Sequence, residues 1–320
     1  MTTRGTASLF PRRHGWRWLP VVVVGIGVTA CWLLSHLLPQ HDYFVKRRGA
    51  IAAVETGPEV RQSRDYVSQS VRITGSTGLT VDLRVLRPAG GTRRLPLVVL
   101  LGGHRTGRDA VDVVGDPGAI VVAALDYPYR GPERPHGLLE SVGSVPAIQR
   151  GLRDTPPAVS LALDWLIARP WVDAARVELM GVSLGVPFAA VAGALDDRFR
   201  RVWLIHGGVG NRAWIANRLE GRITNKPLRD MAAGLVHLLA YGSSFKTEEW
   251  APRIAPRAVI VVGAREDEQM PRENVEQLYA AARAPKEILW SDGGHVGPNR
   301  ADIVRQLLAM VRSRIDDPGK

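Results

Sequence analysis

One serine of the chain lies in a stretch that could make it a nucleophile. Ser183 is the centre of GVSLG (181–185), which follows an apolar run predicted as a strand (176–180) and opens an alanine-rich run predicted as a helix (184–195). Two residues without a Cβ permit the sharp turn and the close packing of helix on strand. In the strand–turn–helix form of G-x-S-x-G, the hydroxyl is held at the tip of the turn. Because common residues also form this pattern by chance, the serine needs partners elsewhere in the chain.

Partners of the right chemistry follow two later predicted strands. A serine hydroxyl needs a base that accepts its proton, and the base needs a third group that fixes its tautomer. Three acids at 266–268 follow the predicted strand 258–262, and a glycine-rich loop with His295 follows the predicted strand 287–290. The order serine, acid, histidine is the one that accompanies this kind of serine turn. The sequence therefore predicts a catalytic triad that includes Ser183.

A parallel sheet would bring these residues together. Strand-like and helical runs alternate from about residue 69 onward, which predicts an α/β domain with a mostly parallel central sheet and helices on both faces. The runs 95–101 and 120–125 are almost wholly apolar, as in strands buried on both faces. Such sheets bind ligands beyond the carboxyl ends of their strands, where all three candidates lie. The other predicted strands are 81–86 and 202–206, and the other predicted helices are 157–168, 272–282 and 301–313.

Over roughly residues 69–315 the chain resembles the α/β-hydrolase superfamily. Within it, the chain is most similar to the dienelactone-hydrolase-like and acyl-peptidase-like serine esterases. The resemblance implies the α/β-hydrolase fold and a serine hydrolase that cleaves a carboxylic ester or thioester through an acyl-enzyme. The matching motifs are LLGGH at 100–104, GVSLG at 181–185, GAREDEQMP at 263–271 and GH at 294–295.

The resemblance also implies a role for each catalytic residue. Ser183 is the nucleophile, His295 the general base and then acid, and Asp267 the orienting carboxylate. Glu266 and Glu268 are rival acids, but the family's spacing from the acid to the following proline favours Asp267.

An oxyanion hole needs two backbone donors placed where negative charge develops. One is expected to be the N–H of Leu184, the residue after the serine. The other is expected from the loop after the strand 95–101, where the family's His-Gly-x pattern points to His104. Gly103 is the alternative, because Gly102 stands where that pattern often has histidine.

Other polar residues carry weaker signals. His206 follows a predicted strand and either touches substrate or fills a loop, while Asp126 is expected to cap a turn. A single cysteine excludes an intramolecular disulfide or a cysteine-rich metal site, and no metal or nucleotide motif is present, so no cofactor or metal is predicted. Four arginines near the N-terminus supply part of the net charge of +11, and the other arginines are scattered without a basic-aromatic module, so we expect a small ester as partner and no nucleic acid.

The N-terminus predicts a membrane anchor. Residues 1–17 hold four arginines and no acid, and 18–38 contain an apolar run of 20 residues. As a helix this run measures about 30 Å, the thickness of a hydrocarbon core. We expect a single-pass anchor in the cytoplasmic membrane with the catalytic domain on the extracytoplasmic side. The alternatives are a cleaved signal peptide and a lipobox at 28–31 with lipidation of Cys31.

Two further segments complete the domain organisation. Residues 39–68 are polar and weakly periodic, which predicts a tether or irregular N-terminal arm before the hydrolase domain at 69–315. The insertion at 207–250 contains an amphipathic helix at 229–241 and forms either a cap over the pocket or an extra surface helix. The alternative functions are a peptidase or acyl-aminoacyl hydrolase and a non-catalytic binding domain on the same fold.

Overall fold

The computed structural model describes residues 19–90, 93–103, 106–132 and 137–315. The chain divides into two compact units, one up to Leu38 and one from Pro39 onward. In the first unit, α1 (Leu19–Leu37) is a helix of mostly apolar residues. No single helix of the described residues is long and apolar enough to cross a membrane, and Val23–Leu37 meets that test only when counted together with His41–Arg48. This finding does not support the predicted transmembrane segment at 18–38.

The described part of the second unit is built on one nine-stranded sheet. Its strands are β1 (Ile51–Arg61), β2 (Tyr66–Gly75), β3 (Thr80–Pro88), β4 (Leu95–Leu101), β5 (Val121–Leu125), β6 (Val172–Val182), β7 (Arg201–Ile205), β8 (Ala258–Ala264) and β9 (Lys286–Ser291). Their order across the sheet is β1-β2-β3-β5-β4-β6-β7-β8-β9. The pairings from β1 to β5 are antiparallel, and those from β5 through β4 to β9 are parallel. The predicted mostly parallel sheet is confirmed.

Helices cover both faces of the sheet, as predicted. They are α2 (His41–Arg48), α3 (Ala110–Val114), α4 (Gly137–Leu166), α5 (Gly185–Leu195), α6 (Asn211–Leu219), α7 (Lys226–Leu239), α8 (Thr247–Trp250), α9 (Arg272–Ala281) and α10 (Ala301–Ile315). Side chains of α4, α5 and α9 belong to the larger apolar core on one face. Side chains of α3 and α10 belong to a second core on the other face.

The two cores explain the nearly continuous apolar sequence of the inner strands. In β4, Leu97 and Val99 belong to the first core, while Val98 and Leu100 belong to the second. Because successive side chains of a strand point to opposite faces, a strand covered on both faces has no polar side. The central strands thus form a rigid base whose carboxyl ends carry the candidate site.

Residues 39–68 are folded, which corrects the predicted tether or irregular arm. They contain α2, β1 and the beginning of β2. The side chains of β1, the edge strand, are almost all exposed, because none of them belongs to either core. Helix α2 is fixed by one buried side chain, Phe44, and by ion pairs of Arg47 and Arg48 with α4. An edge strand and a short polar helix leave little apolar periodicity in the sequence, which is why the sequence does not predict them.

Candidate active site

Ser183 lies at the tip of the turn between β6 and α5. Its φ of 52° is in the left-handed region, which residues with a Cβ rarely adopt. A Cβ at Gly181 would come within 2.5 Å of the Cβ of Ala189, and a Cβ at Gly185 would overlap the carbonyl oxygen of Leu101. The tight turn therefore requires both glycines, and it fixes the serine beyond the end of the sheet.

The structure brings the three predicted triad residues together. The Nε2 of His295 lies 2.7 Å from the Oγ of Ser183. The Nδ1 of the same ring lies 3.0 and 2.9 Å from the two carboxylate oxygens of Asp267. Because the Nδ1–H donates to the carboxylate, Nε2 is left to accept the proton of the serine hydroxyl. The arrangement can deprotonate Ser183 as it attacks an electrophile.

Asp267 is held as a carboxylate by its surroundings. Its side chain is 3% exposed, and this burial raises its pKa. The hydrogen bond from His295 and those from the N–H groups of Gln269 and Met270, each 2.8 Å from Oδ1, act in the opposite direction. The balance is a pKa below the ordinary value of an aspartate. Asp267 therefore stays charged and can stabilise the imidazolium that forms during the reaction.

The two rival acids do not contact the imidazole ring. Glu268 accepts a hydrogen bond from the backbone N–H of His295 at 2.9 Å and pairs with Arg300 at 2.8 Å. Burial raises its pKa, but the N–H bond and Arg300 outweigh it and lower the pKa to about 2. Arg300 also donates to the carbonyl of His295 at 2.9 Å. Glu266 has an exposed side chain. Glu268 and Arg300 thus fix the backbone of the histidine loop.

His206 has a positional role that the sequence did not reveal. Its ring is fully buried, 5.6 Å from that of His295. The Nδ1 accepts the N–H of Val296 at 2.9 Å, so the Nε2–H donates to the Oγ of Ser291 at 3.0 Å. Burial, with a smaller contribution from His295, lowers the pKa of His206 to about 4. A neutral His206 therefore supports the loop that carries His295.

The structure locates two of the three candidate donors of the oxyanion hole. In the described ranges, no group accepts the N–H of Leu184, which lies just before α5. A Cβ on Gly103 would lie 3.6 Å from the Cβ of Ser183, so the backbone of Gly103 borders the serine. His104 lies outside the described residues. Leu184 and Gly103 therefore remain the candidate donors that the structure places beside Ser183.

Two cavities lined by described residues meet at Ser183. The larger has a volume of about 300 Å³ and reaches toward α3 and α10. The smaller, of about 120 Å³, is bordered by residues of α6 and α7 in the insertion at 207–250. Residues of the insertion thus border this cavity, and its role as a cap or as an extra surface helix stays a prediction. Asp126 accepts the N–H of Arg108 at 2.8 Å, a bond between residues 18 positions apart rather than the predicted cap of a local turn.

His206, Asp267 and His295 could also be considered as metal ligands, since their ligand atoms lie within 4.8 Å of one another. Every ring nitrogen of the two histidines already has a hydrogen-bond partner, as described above. A metal ion would have to displace these bonds. The donor set fits a hydrogen-bonded triad with a supporting histidine better than a metal centre.

The strand order, the serine turn and the acid and histidine loops together define the α/β-hydrolase fold. Solved structures with this fold share the architecture of the chain and resemble it weakly in sequence. An acetyl xylan esterase from Paenibacillus sp. R4 matches with a TM-score of 0.61 at 18% identity, covering 84% of this chain and 92% of the other. Acetyl xylan esterase 1 from Thermoanaerobacterium sp. JW/SL YS485 matches with a TM-score of 0.57 at 16% identity, covering 85% and 94%.

An α/β-hydrolase from Penicillium sp. sh18, GrgF, matches with a TM-score of 0.54 at 17% identity, covering 78% of this chain and 99% of the other. No protein-family model matches the chain, and no curated protein matches its sequence. These likenesses confirm the predicted α/β-hydrolase fold. At such identities they establish the fold alone.

Proposed function

We propose that the protein is a serine hydrolase that cleaves a carboxylic ester or thioester through an acyl-enzyme. The observation that carries the proposal is the continuous hydrogen-bond chain from Ser183 through His295 to Asp267. A serine hydroxyl is a weak nucleophile without a base within hydrogen-bond distance, and here the base lies 2.7 Å away.

The reaction would proceed in two stages. The Oγ of Ser183 attacks the carbonyl carbon while its proton passes to the Nε2 of His295, and Asp267 stabilises the imidazolium. The tetrahedral oxyanion accepts hydrogen bonds from the N–H groups of Leu184 and Gly103, and the positive end of α5 adds to this stabilisation. His295 then gives its proton to the leaving oxygen or sulfur. In the second stage a water molecule, deprotonated by His295, hydrolyses the acyl-enzyme and restores Ser183.

The comparisons agree with an ester as substrate. The names of two structural neighbours describe enzymes that act on acetyl xylan. Because their identities to this chain are 18% and 16%, these names favour ester chemistry without giving the substrate. The alternatives to esterase activity are peptidase activity and a non-catalytic binding role. The following experiment distinguishes them.

The proposal predicts a large loss of turnover on removal of any triad group. With p-nitrophenyl esters, Ser183→Ala and His295→Ala should each lower kcat by roughly a thousandfold or more, and Asp267→Asn by a similar factor. Glu266→Gln is the matched control, because the side chain of Glu266 is exposed and does not touch the ring. Unchanged turnover in Ser183→Ala contradicts the proposal. Cleavage of peptides without cleavage of simple esters identifies a peptidase.

Attachment to the cytoplasmic membrane through residues 18–38, with the second unit on the extracytoplasmic side, is a further part of this proposal. It rests on the basic leader and the apolar run of the sequence. Carbonate extraction of membranes that contain the full chain should leave the protein in the pellet. Recovery in the supernatant contradicts the tether. Release by Cys31→Ser alone indicates a lipid at Cys31 as the anchor.

A further inference from the structure

The larger cavity at Ser183, called the channel below, is lined mostly by apolar residues. Four residues of α10 spaced along one helix face form one wall, and three residues of α3 also line it. The α10 residues extend over seven positions, which corresponds to about 10 Å of helix. The channel therefore extends along α10 for about this length. The wall residues are Ala110, Val113, Val114, Val304, Leu307, Leu308 and Val311.

The side chains of the channel change character along its length. The wall residues on α3 and α10 are apolar, and so are the strand residues at the base of the channel, Leu100, Met180 and Ile205, of which Ile205 accepts the N–H of Ser183 at 2.8 Å. The polar residues Arg218 and Gln269 are bonded to each other at 2.8 Å, and the backbone of Gln269 is bonded to the carboxylate of Asp267. Polar groups therefore gather at the reactive end. The remote end offers only apolar contacts to whatever enters.

The most exposed residues of the second core lie along the channel. Most residues of that core are at most 3% exposed. The four with the highest exposure are Ala110 at 5%, Leu100 at 6%, Leu307 at 7% and Met180 at 8%, and all four line the channel. Protein cores are otherwise packed as densely as organic crystals. The second core is thus densely packed except where its residues border the channel, which begins at Ser183.

The smaller cavity differs in size and chemistry. It holds about 120 Å³ and its lining includes Asn211, Trp214, His237 and Phe245. The channel, at about 300 Å³, has more than twice this volume. The two cavities therefore suit two arms of different size.

From these observations, and resting on the proposed function, we infer that the substrate is an ester with one unbranched aliphatic arm. This arm, of about eight to ten carbons, lies in the channel between α3 and α10, and the compact arm lies in the cavity below α6 and α7. Two kinds of ester have such an arm: those with a long acyl group and those with a long alcohol. Both would place an alkyl chain in the channel.

Two ester series test this inference on the full-length, detergent-solubilised protein. The first lengthens the acyl group of p-nitrophenyl esters from acetyl to dodecanoyl, and the second lengthens the alcohol of acetate esters over the same range. In one series kcat/KM should rise by roughly twofold to fourfold per methylene and then fall beyond about ten carbons. The series that shows the rise identifies the arm that occupies the channel. A profile in both series that is flat, or highest for the shortest member, overturns the inference.

A channel-filling variant locates the effect. Leu308→Trp should lower kcat/KM for the decanoyl ester, or for the decyl ester, by about tenfold or more and leave the shortest ester within about twofold. Ala309→Trp is the matched control, since Ala309 is the exposed neighbour on α10, and it should keep the wild-type profile. If Leu308→Trp does not fold, Val113→Phe narrows the channel from the α3 side. An unchanged chain-length optimum in a folded channel variant also overturns the inference.

Labelling with a fluorophosphonate probe separates the two proposals. Labelling of Ser183 with a profile that favours short esters overturns the channel assignment alone. A folded wild-type protein that neither reacts with the probe nor cleaves any ester overturns the proposed function and the inference with it.

Discussion

At the scale of single residues, two strained positions lie side by side at the end of the sheet. Ser183 and His206 have φ values of 52° and 51°, and each follows a strand directly. The strand residues before them, Val182 and Ile205, are paired in register. A residue with a Cβ in the left-handed region costs roughly 1–3 kcal/mol and is found mainly at functional sites. One of the two positions carries the proposed nucleophile, and the other supports the loop of the proposed base.

The buried His206 makes stability depend on pH. Its pKa is about 4 in the folded protein and near 6.5 in an unfolded chain. As pH falls from about 6.5 to about 4, the unfolded chain binds a proton that folded His206 does not, so the free energy of unfolding decreases, by roughly 3 kcal/mol in total. Above about pH 6.5 this contribution does not change.

Denaturant unfolding at several pH values checks this effect against His206→Asn. Asparagine tolerates the left-handed conformation and does not titrate. The variant should be less stable near neutral pH and should lose about 3 kcal/mol less than the wild type between pH 8 and pH 4. The same pH dependence in both proteins contradicts the neutral, buried state of His206.

At the scale of elements, the sequence predicts the strands and helices whose apolar residues form a clear pattern. It does not predict element bounds that depend on packing against other elements. The runs at 95–101 and 184–195 became β4 and α5 almost residue for residue, because both are buried. The helix predicted at 157–168 begins much earlier, as α4 (Gly137–Leu166), and Pro156 and Pro157 lie inside it instead of marking its start. Proline favours the first turn of a helix for local, steric reasons. The extent of α4 is determined instead by its packing on α2 and α5.

The docking of α2 depends on one buried carboxylate of α4. Asp154, 4% exposed, accepts two bonds from Arg47 at 2.9 Å and one from the hydroxyl of Tyr43 at 2.5 Å. Burial, together with Asp154, raises the pKa of Tyr43 to about 12, so the phenol remains a donor. Asp154→Asn should destabilise the protein by about 2–3 kcal/mol, because a cation loses its buried partner.

A matched surface pair provides the control for this prediction. Arg72 and Asp82 form an ion pair whose side chains are 54% and 26% exposed. Asp82→Asn should destabilise the protein much less than Asp154→Asn, because an exposed ion pair contributes little to stability. Equal losses for the two variants, measured by urea denaturation, would show that α2 is not held by Asp154.

At the scale of the whole molecule, topology assembles the site. Ser183 and His295 are 112 positions apart in sequence, and Asp267 is 28 positions from His295. Because parallel strands end at one edge, the sequence predicted that these residues meet, and the structure places them in contact. The sequence did not indicate the support from His206 or the channel between α3 and α10. Both depend on side chains from elements that are distant in sequence. A cavity between such elements cannot be predicted from a local sequence pattern.

The central claim is that Ser183 is activated by His295, and covalent labelling tests it most directly. The full-length wild-type protein is treated with a fluorophosphonate probe, and the modified residue is identified by mass spectrometry of peptides. The proposed function predicts rapid modification at Ser183 that is lost in Ser183→Ala and strongly slowed in His295→Ala. A folded wild-type protein that remains unmodified, or one modified equally fast without His295, contradicts the claim.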